Sequence, residues 1–224
     1  MHSNVKAEPW RGEPLPRGRH KLPADAVRSS QRERLLRAVV ECVAEHGFDA
    51  ATVPLVVSTA RVSPNAFYDL FADKTECFLS ACDEIATELL TQLTALITEP
   101  DWIQALRKGT VIYLRWWSER PAFARAYLLS LRAAGERADA QREHTYALFR
   151  EMFADLGRRA RAEQPELPPL SPLAARALVV AITEIVADEV RSGRTAQLHE
   201  LGDEIARLAI RLLADDATAV SALA

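Results

Sequence analysis

Apolar residues recur along most of the chain at the three- and four-residue spacing of one face of an α-helix. Between residues 23 and 46, five apolar side chains share one predicted helical face: Leu35, Leu36, Val39, Val40 and Val43. Gly47 comes next, and glycine commonly ends a helix. The start of the helix is open between Pro23, as the first helical residue, and a capping box formed by Ser30 and Glu33.

Two short helices and one long helix are predicted next. Thr52 and Ser63 are suitable N-cap residues, and Pro64 is a favourable first helical residue. Each short helix has about eight residues, and the tight turn between them has the sequence ARVS. Asp73 caps the long helix, which runs until Pro100 prevents its continuation. Two short helices packed in this way against a longer first helix predict a helix-turn-helix.

The rest of the chain is also predicted to be helical. One loop is marked by four prolines in the sequence QPELPPLSP, and no segment alternates as a strand does. The remaining predicted helices cover residues 102–119, 121–131, 136–163, 173–192 and 197–214. The predicted fold class is therefore all-α, with an N-terminal three-helix helix-turn-helix domain followed by a C-terminal helical domain.

The composition is typical of a globular protein, since 49% of the 224 residues are hydrophobic and 26% are charged. No apolar stretch approaches the roughly 20 residues that span a bilayer, and the N-terminus lacks the apolar segment of a secretory signal. We therefore expect a cytoplasmic protein without a membrane segment. Cys42, Cys77 and Cys82 are odd in number and lie within helical patterns, so no disulfide, metal site or cofactor is predicted.

Positive charge is concentrated at the start of the chain. Residues 1–40 contain nine Lys or Arg and four acidic residues. Residues 41–84 contain two Lys or Arg and eight acidic residues. Because a DNA duplex attracts cations, this acidic balance opposes DNA binding unless the basic start of the chain contributes. Residues 1–22 are predicted to form a flexible basic arm that enters a minor groove, and the alternative is a solubilising tail.

The second short helix suits a major groove about 12 Å wide, which such a helix enters with its N-terminal residues. Phe67 and Phe71 are predicted to point into the core, while Tyr68 faces a phosphate and Asn65 faces an adenine edge. Lys74 is predicted to bind a second phosphate together with free N–H groups at the start of the next helix. The predicted DNA contacts are Arg17, Arg19, Lys21, Thr52, Arg61, Ser63, Pro64, Asn65, Tyr68 and Lys74.

The segment ATVPLVVSTARVSPNAFYDLFADKTECF resembles the signature of the tetracycline-repressor (TetR) family of transcriptional regulators. Nine residues fall where that signature places them: Thr52, Val53, Ala60, Val62, Ser63, Phe67, Tyr68, Phe71 and Lys74. The chain departs from it at Val57, where Ala is customary, at Pro64 and Asn65, where Gly or basic residues are usual, and at Arg61, where Gly is usual. If that turn needs a positive φ, a residue other than glycine costs about 1–2 kcal/mol. Either the turn is reshaped, or Arg61 offsets the strain through a phosphate contact.

The resemblance implies a homodimer that binds double-stranded, palindromic operator DNA and a small-molecule effector. Residues 23–74 would form the DNA-binding domain, and residues 75–224 the ligand-binding and dimerisation domain. A repressor released by a small apolar or aromatic ligand is the implied function. The alternatives are an activator, an effector-independent DNA-binding protein and, more remotely, an all-helical ligand carrier or enzyme.

Two further sets of residues are predicted for this larger domain. Aromatic side chains in three consecutive helices form the candidate ligand site, although such a cluster can also be plain core: Trp102, Tyr113, Trp116, Trp117, Phe123, Tyr127, Tyr146, Phe149 and Phe153. The last two helices carry stripes that could form a dimer interface or pack internally: Ala177, Val180, Ala181, Glu184, Ile185, Ile205, Leu208, Ala209 and Leu212.

Catalytic motifs are scarce. The sequence contains no HExxH, GxSxG or phosphate-binding loop, and its histidines are isolated. Glu184 and Asp188 are four residues apart, but charged pairs at this spacing are common on exposed helices. We therefore expect that the protein is not an enzyme and has no catalytic residues.

Overall fold

The computed structural model describes residues 23–99 and 101–214, and these residues form helices and connecting turns without a strand. The predicted all-α class is confirmed. The α-helices are α1 (Ala24–His46), α2 (Val53–Ala60), α3 (Pro64–Tyr68), α4 (Lys74–Thr94), α5 (Trp102–Ser118), α6 (Pro121–Arg125), α7 (Glu136–Glu163), α8 (Pro172–Arg191) and α9 (Gly202–Ala214).

The predicted N-caps form hydrogen bonds in the structure. The Thr52 hydroxyl accepts from the Leu55 N–H at 3.4 Å, and the Ser63 hydroxyl accepts from the Ala66 N–H at 3.2 Å. Ser171 caps α8 in the same way. These bonds satisfy N–H groups that have no partner inside their own helix, which fixes where each helix begins.

Two helix boundaries in the first unit bear on the sequence prediction. α1 begins directly after Pro23, one residue from the earlier of the two starts that the sequence left open, and the capping box at Ser30 is wrong because that residue lies inside the helix. α3 has five residues, fewer than predicted, because a turn follows Tyr68.

The predicted helix over residues 121–131 is also interrupted. α6 ends at Arg125, a π-helical turn follows over Ala126–Ser130, and a 3₁₀ turn covers Leu131–Ala134. The last predicted helix begins as a 3₁₀ helix over Thr195–Leu201 and becomes α-helical only at Gly202. Glycine is a poor residue for a helix interior, and the change of helix type occurs there.

The chain folds into two compact units. Of the described residues, 23–85 and 119–139 belong to the first unit, and the remainder belong to the second. The first unit thus extends past the predicted domain boundary at residue 74 and includes a segment that follows α5. The predicted arm, residues 1–22, lies outside the described residues.

The first unit is built around α1. Its core contains side chains that are fully buried: Leu35, Leu36, Val39, Val40, Val43, Val56, Phe67 and Phe78. α2, α3, α6 and the π-helical turn all pack against α1 or against each other. The helix-turn-helix of the first unit therefore also packs against α6 and the π-helical turn, a segment that the sequence prediction assigned to the C-terminal domain.

The second unit places α5 against the Thr195–Leu201 turn and α9, and α8 also contacts both of these elements. Its core includes Leu114, Leu178, Val186, Leu198 and Ala209. Among the helices that the structure describes, none combines the length and the apolar character needed to cross a bilayer.

The three cysteines are free and buried in the first unit. Burial raises the pKa of the Cys42, Cys77 and Cys82 thiols, so they remain protonated near neutral pH. Within residues 23–99 and 101–214, no group of three or more His, Cys, Asp or Glu side chains is arranged to hold a metal ion.

Candidate functional site

The turn between α2 and α3 is a Schellman motif. The Val62 N–H donates to the Val57 carbonyl at 3.0 Å, and the Arg61 N–H donates to the Ser58 carbonyl at 3.2 Å. Arg61 has φ 54° and ψ 47°, in the left-handed region that this motif usually gives to glycine. The turn is therefore not reshaped, and Arg61 occupies a conformation that costs about 1–2 kcal/mol.

The start of α3 presents a polar surface, which we call the reading face. Tyr68 is 59% exposed, whereas the neighbouring Phe67 is fully buried and anchors the helix. The Phe67 ring lies 5.8 Å from the ring of Phe71, centroid to centroid. The reading face consists of exposed residues from the turn and α3: Arg61, Ser63, Pro64, Asn65 and Tyr68.

The reading face has the groups that a duplex requires. The Asn65 amide can donate and accept towards a base edge, and the Tyr68 hydroxyl can donate to a phosphate. The hydroxyl oxygens of Thr52 and Ser63 accept cap bonds from backbone N–H groups, but their hydrogens stay available to a phosphate oxygen. All four residues are exposed, so each of these side chains is accessible to a duplex.

Several basic side chains of the first unit bind the protein's own backbone. Arg28 Nη2 donates to the Asp69 carbonyl at 3.0 Å, at the end of α3. Arg34 Nη1 donates to the carbonyls of Ala60 and Arg61 at 3.2 and 3.1 Å, at the end of α2. Two guanidinium groups on α1 therefore hold the C-terminal ends of both short helices, and neither was identified from the sequence.

Other cations of this unit are also occupied. Arg32 forms an ion pair with Glu84, and Arg125 Nε donates to the Ala44 carbonyl at 3.3 Å. Among the five residues of the reading face, Arg61 is the one cation, and it lies in the left-handed turn.

The phosphate site predicted at Lys74 is not formed in this structure. Lys74 Nζ donates to the Phe48 carbonyl and lies 4.0 Å from the centroid of the Phe48 ring. Partial burial lowers the pKa of its ammonium group. The N–H groups expected to assist are occupied as well, because the Asp73 carboxylate accepts from Glu76 and the Glu76 carboxylate accepts from Ala72, both at 2.6 Å. A phosphate contact would require Lys74 to leave Phe48.

The nine predicted ligand-site aromatics are divided between the two units. Phe123 and Tyr127 lie in the first unit, with ring centroids 5.4 Å apart, because their segment packs against α1. That all nine residues line one ligand site stays a prediction. The second unit contains the remaining members: Trp102, Tyr113, Trp116, Trp117, Tyr146, Phe149 and Phe153.

Within the second unit, Tyr113 connects α5 to its neighbours. Its ring lies 6.1 Å from the rings of Trp117 and Phe149, centroid to centroid. Burial raises the pKa of its hydroxyl to about 12, so this group stays neutral between the aromatic rings.

Arg142 supplies a cation beside these aromatic residues. Its Nη2 and Nε atoms lie 2.7 and 3.1 Å from the Tyr146 hydroxyl oxygen, and its side chain is 19% exposed. The Glu184 carboxylate is 3.5 Å away. Guanidinium groups bind carboxylates and phosphates well. The sequence analysis missed Arg142, although its position one helical turn before Tyr146 was a usable signal.

The candidate dimer residues behave differently on the two helices. On α8, Ala177 and Glu184 are exposed, Val180 is 39% exposed, and Ala181 and Ile185 are half-buried. These five residues form one face, which we call the α8 stripe, and all of them reach the surface of the chain.

On α9, two of the predicted interface residues follow the alternative of internal packing. Ile205 and Ala209 are buried within the second unit, because this face of α9 packs against its own chain. Leu208 and Leu212 are half-buried and stay available for a partner.

Residues 35–81 match the family model described as bacterial regulatory proteins, tetR family. The protein is also 29% identical over 79 residues to the HTH-type transcriptional repressor AcnR of Corynebacterium diphtheriae. That alignment covers 35% of this chain and 40% of the relative, so the chain matches less than half of the relative's length.

Solved structures share the fold over about four fifths of the chain. The fatty acid degradation regulator FadR of Bacillus halodurans matches with a TM-score of 0.70 and 18% identity, covering 81% of this chain and 97% of that one. FadR of Bacillus subtilis, solved with stearoyl-CoA, matches with a TM-score of 0.71 and 16% identity, covering 79% of this chain and 96% of that one. SmeT, the repressor of a multidrug efflux pump of Stenotrophomonas maltophilia, matches with a TM-score of 0.66 and 18% identity, covering 80% of this chain and 88% of that one. Residues 35–81, which include α2 and α3, are thus similar to bacterial regulatory proteins of the tetR family, and these solved structures share the fold of the longer chain.

Proposed function

We propose that this protein is a sequence-specific, DNA-binding transcriptional regulator that acts as a homodimer in the cytoplasm and is not an enzyme. It represses from a palindromic operator and is released by a small ligand. The observation that carries this proposal is the reading face, where Asn65 and Tyr68 project from a capped helix whose other side is anchored by Phe67.

The charges of the first unit support a contribution of two parts of the chain to DNA binding, the reading face and segment 1–22. Arg28, Arg32 and Arg34 are engaged within the protein, so the described reading face contributes Arg61 as its cation. Affinity for a duplex rises with each phosphate that a cation neutralises. We infer that the basic residues of segment 1–22 provide the further phosphate contacts that the reading face lacks.

Selection of bound sequences from a random duplex pool tests the DNA-binding proposal. The wild-type protein should select a palindrome with half-sites about 34–36 Å apart. Asn65→Ala should weaken binding to the selected duplex by about 10- to 100-fold and relax the preference at one base pair per half-site. Tyr68→Phe is the matched variant, because loss of a phosphate contact should weaken all duplexes about equally. Recovery of no preferred sequence by the wild-type protein would refute the proposal.

The second unit supports a ligand with an apolar body and an anionic group. Tyr113, Trp117 and Phe149 provide apolar walls, and Arg142 with Tyr146 provides a cation and a hydroxyl beside them. Among the structures that share the fold, FadR of Bacillus subtilis was solved with stearoyl-CoA, which combines a long apolar chain with phosphates. We propose that the effector of this protein belongs to the same broad chemical class of amphipathic anions.

Release by a ligand requires coupling between the two units. α4 and α7 each begin in the first unit and continue into the second, so a displacement of either helix can reach the helix-turn-helix. A changed separation of the two reading faces of a dimer would no longer match the operator half-sites. Coupling free energies of about 1–3 kcal/mol are usual for such switches.

Ligand titration with and without operator DNA tests this part. Stearoyl-CoA and the fluorescent aromatic anion anilinonaphthalene sulfonate are suitable probes. A probe acting as effector should bind about 5- to 150-fold more weakly when operator is present. Arg142→Gln should weaken binding, whereas Arg150→Gln, on the same helix but paired with Glu143, should not. Equal affinities with and without operator would contradict ligand release.

A further inference from the structure

Arg61 is the one residue other than glycine with a positive φ in the part of the chain that the structure describes. Its conformation is needed by the Schellman turn, which ends α2 and sets the direction in which α3 leaves. An arginine does not favour this conformation by itself, so the surrounding structure has to hold it.

Arg34 contacts the turn in a way that can hold it. A single nitrogen, Nη1, donates to the Ala60 carbonyl and to the Arg61 carbonyl, at 3.2 and 3.1 Å. These two carbonyls belong to the peptide planes on either side of the Arg61 Cα atom. The relative orientation of those planes is what φ and ψ of Arg61 describe.

Arg34 is also fixed at its own base. Its Nε atom donates to the Ser30 carbonyl one turn earlier in α1, at 3.3 Å, so the guanidinium plane is tied to the helix that forms the core of the unit. The three bonds together connect the α1 backbone to the α2–α3 turn. A lysine could not reproduce this arrangement, because its ammonium has no second nitrogen to bind Ser30.

We propose that Arg34 is the positioning residue of the reading face: it holds Arg61 in the left-handed conformation and thereby sets the orientation of α3. This inference rests on the proposed DNA-binding function of that face. When Arg34 holds the turn, Arg61 can occupy a position where glycine is usual. The turn keeps its geometry, and the Arg61 guanidinium is presented at the reading face.

Amide hydrogen exchange tests the inference without DNA. The variants are Arg34→Gln, Arg61→Gly and the double variant. Arg34→Gln should raise the exchange rate of the Val62 amide about ten-fold, since the Schellman bond to Val57 loosens. In the Arg61→Gly background the same change should alter that rate less than about two-fold, because glycine keeps the left-handed turn unaided. An equal increase in both backgrounds, or no increase in either, would overturn the inference.

Operator affinity provides the functional half of the test. In the protein with Arg61, Arg34→Gln should weaken operator binding about ten-fold. In the Arg61→Gly protein, the same substitution should leave operator binding nearly unchanged. Arg28→Gln is the control, because it removes a guanidinium from the Asp69 carbonyl, away from the turn, and should weaken binding equally in both backgrounds. If the wild-type protein prefers no duplex, the proposed function fails, and hydrogen exchange still decides the role of Arg34.

Discussion

Phe67→Ala is expected to lower the free energy of unfolding of the first unit by about 3–5 kcal/mol. The Phe67 side chain is fully buried, and it provides the main anchor of a helix only five residues long. Its removal leaves a cavity lined by Phe71 and loses the transfer energy of the ring, and so short a helix has no other large buried side chain to compensate. Urea unfolding followed by far-UV circular dichroism measures the change, with amide exchange of residues 53–71 to locate it.

Tyr68→Ala is the matched control because it removes a ring of similar size from the next position of the same helix. Tyr68 is mostly exposed, and surface substitutions usually change stability by less than about 0.5 kcal/mol. The Tyr68 variant should therefore keep its stability and lose operator affinity. Similar losses of stability in the two variants would show that α3 is not anchored through Phe67.

The elements of the helix-turn-helix were predictable because their signals are local. Thr52 and Ser63 each lie three residues before the N–H group that they cap, so the cap and its helix occur within one short stretch of sequence. Phe67 and Tyr68 were assigned to opposite sides by helical periodicity alone, and their burial agrees with that assignment.

The partners of long basic side chains were not predictable in the same way. Lys74 reaches the Phe48 carbonyl and Arg34 reaches the Ala60 carbonyl, in each case across 26 positions of sequence. Such contacts depend on how α1, α2 and α4 pack, and periodicity contains no information about that packing. A lysine at the start of a helix therefore looked like a phosphate ligand, although the folded unit uses it to hold a loop carbonyl.

The limits of the two units also depend on packing that is distant in sequence. Phe123 and Tyr127 follow α5 directly, and an aromatic pattern cannot distinguish a side chain that lines the second unit from one that packs on α1. The same limitation applies to α9, where Ile205 and Leu208 share an apolar stripe but only Ile205 is buried by its own chain. Periodicity identifies an apolar face and does not say which neighbour covers it.

Val180→Asp is expected to convert the proposed homodimer into monomers. Val180 lies within the α8 stripe, and in a two-fold symmetric interface each substitution places two carboxylates in the contact. Burying unpaired charges should weaken the dimer by at least about 100-fold. The monomer should stay folded, because Val180 is already 39% exposed within its own chain. Sedimentation velocity across a range of concentrations measures the change in association.

Val111→Asp distinguishes loss of the interface from a general effect of a new charge. Val111 is 58% exposed on α5, a different helix of the same unit, so this variant should remain dimeric. The monomeric Val180 variant should also lose about 100-fold or more in operator affinity, because two linked reading faces bind a palindrome with a high effective concentration that a single face lacks. Its affinity for an isolated half-site should be unchanged, since the reading face belongs to the other unit. A dimeric Val180→Asp protein, or a monomeric Val111→Asp protein, would move the interface away from α8.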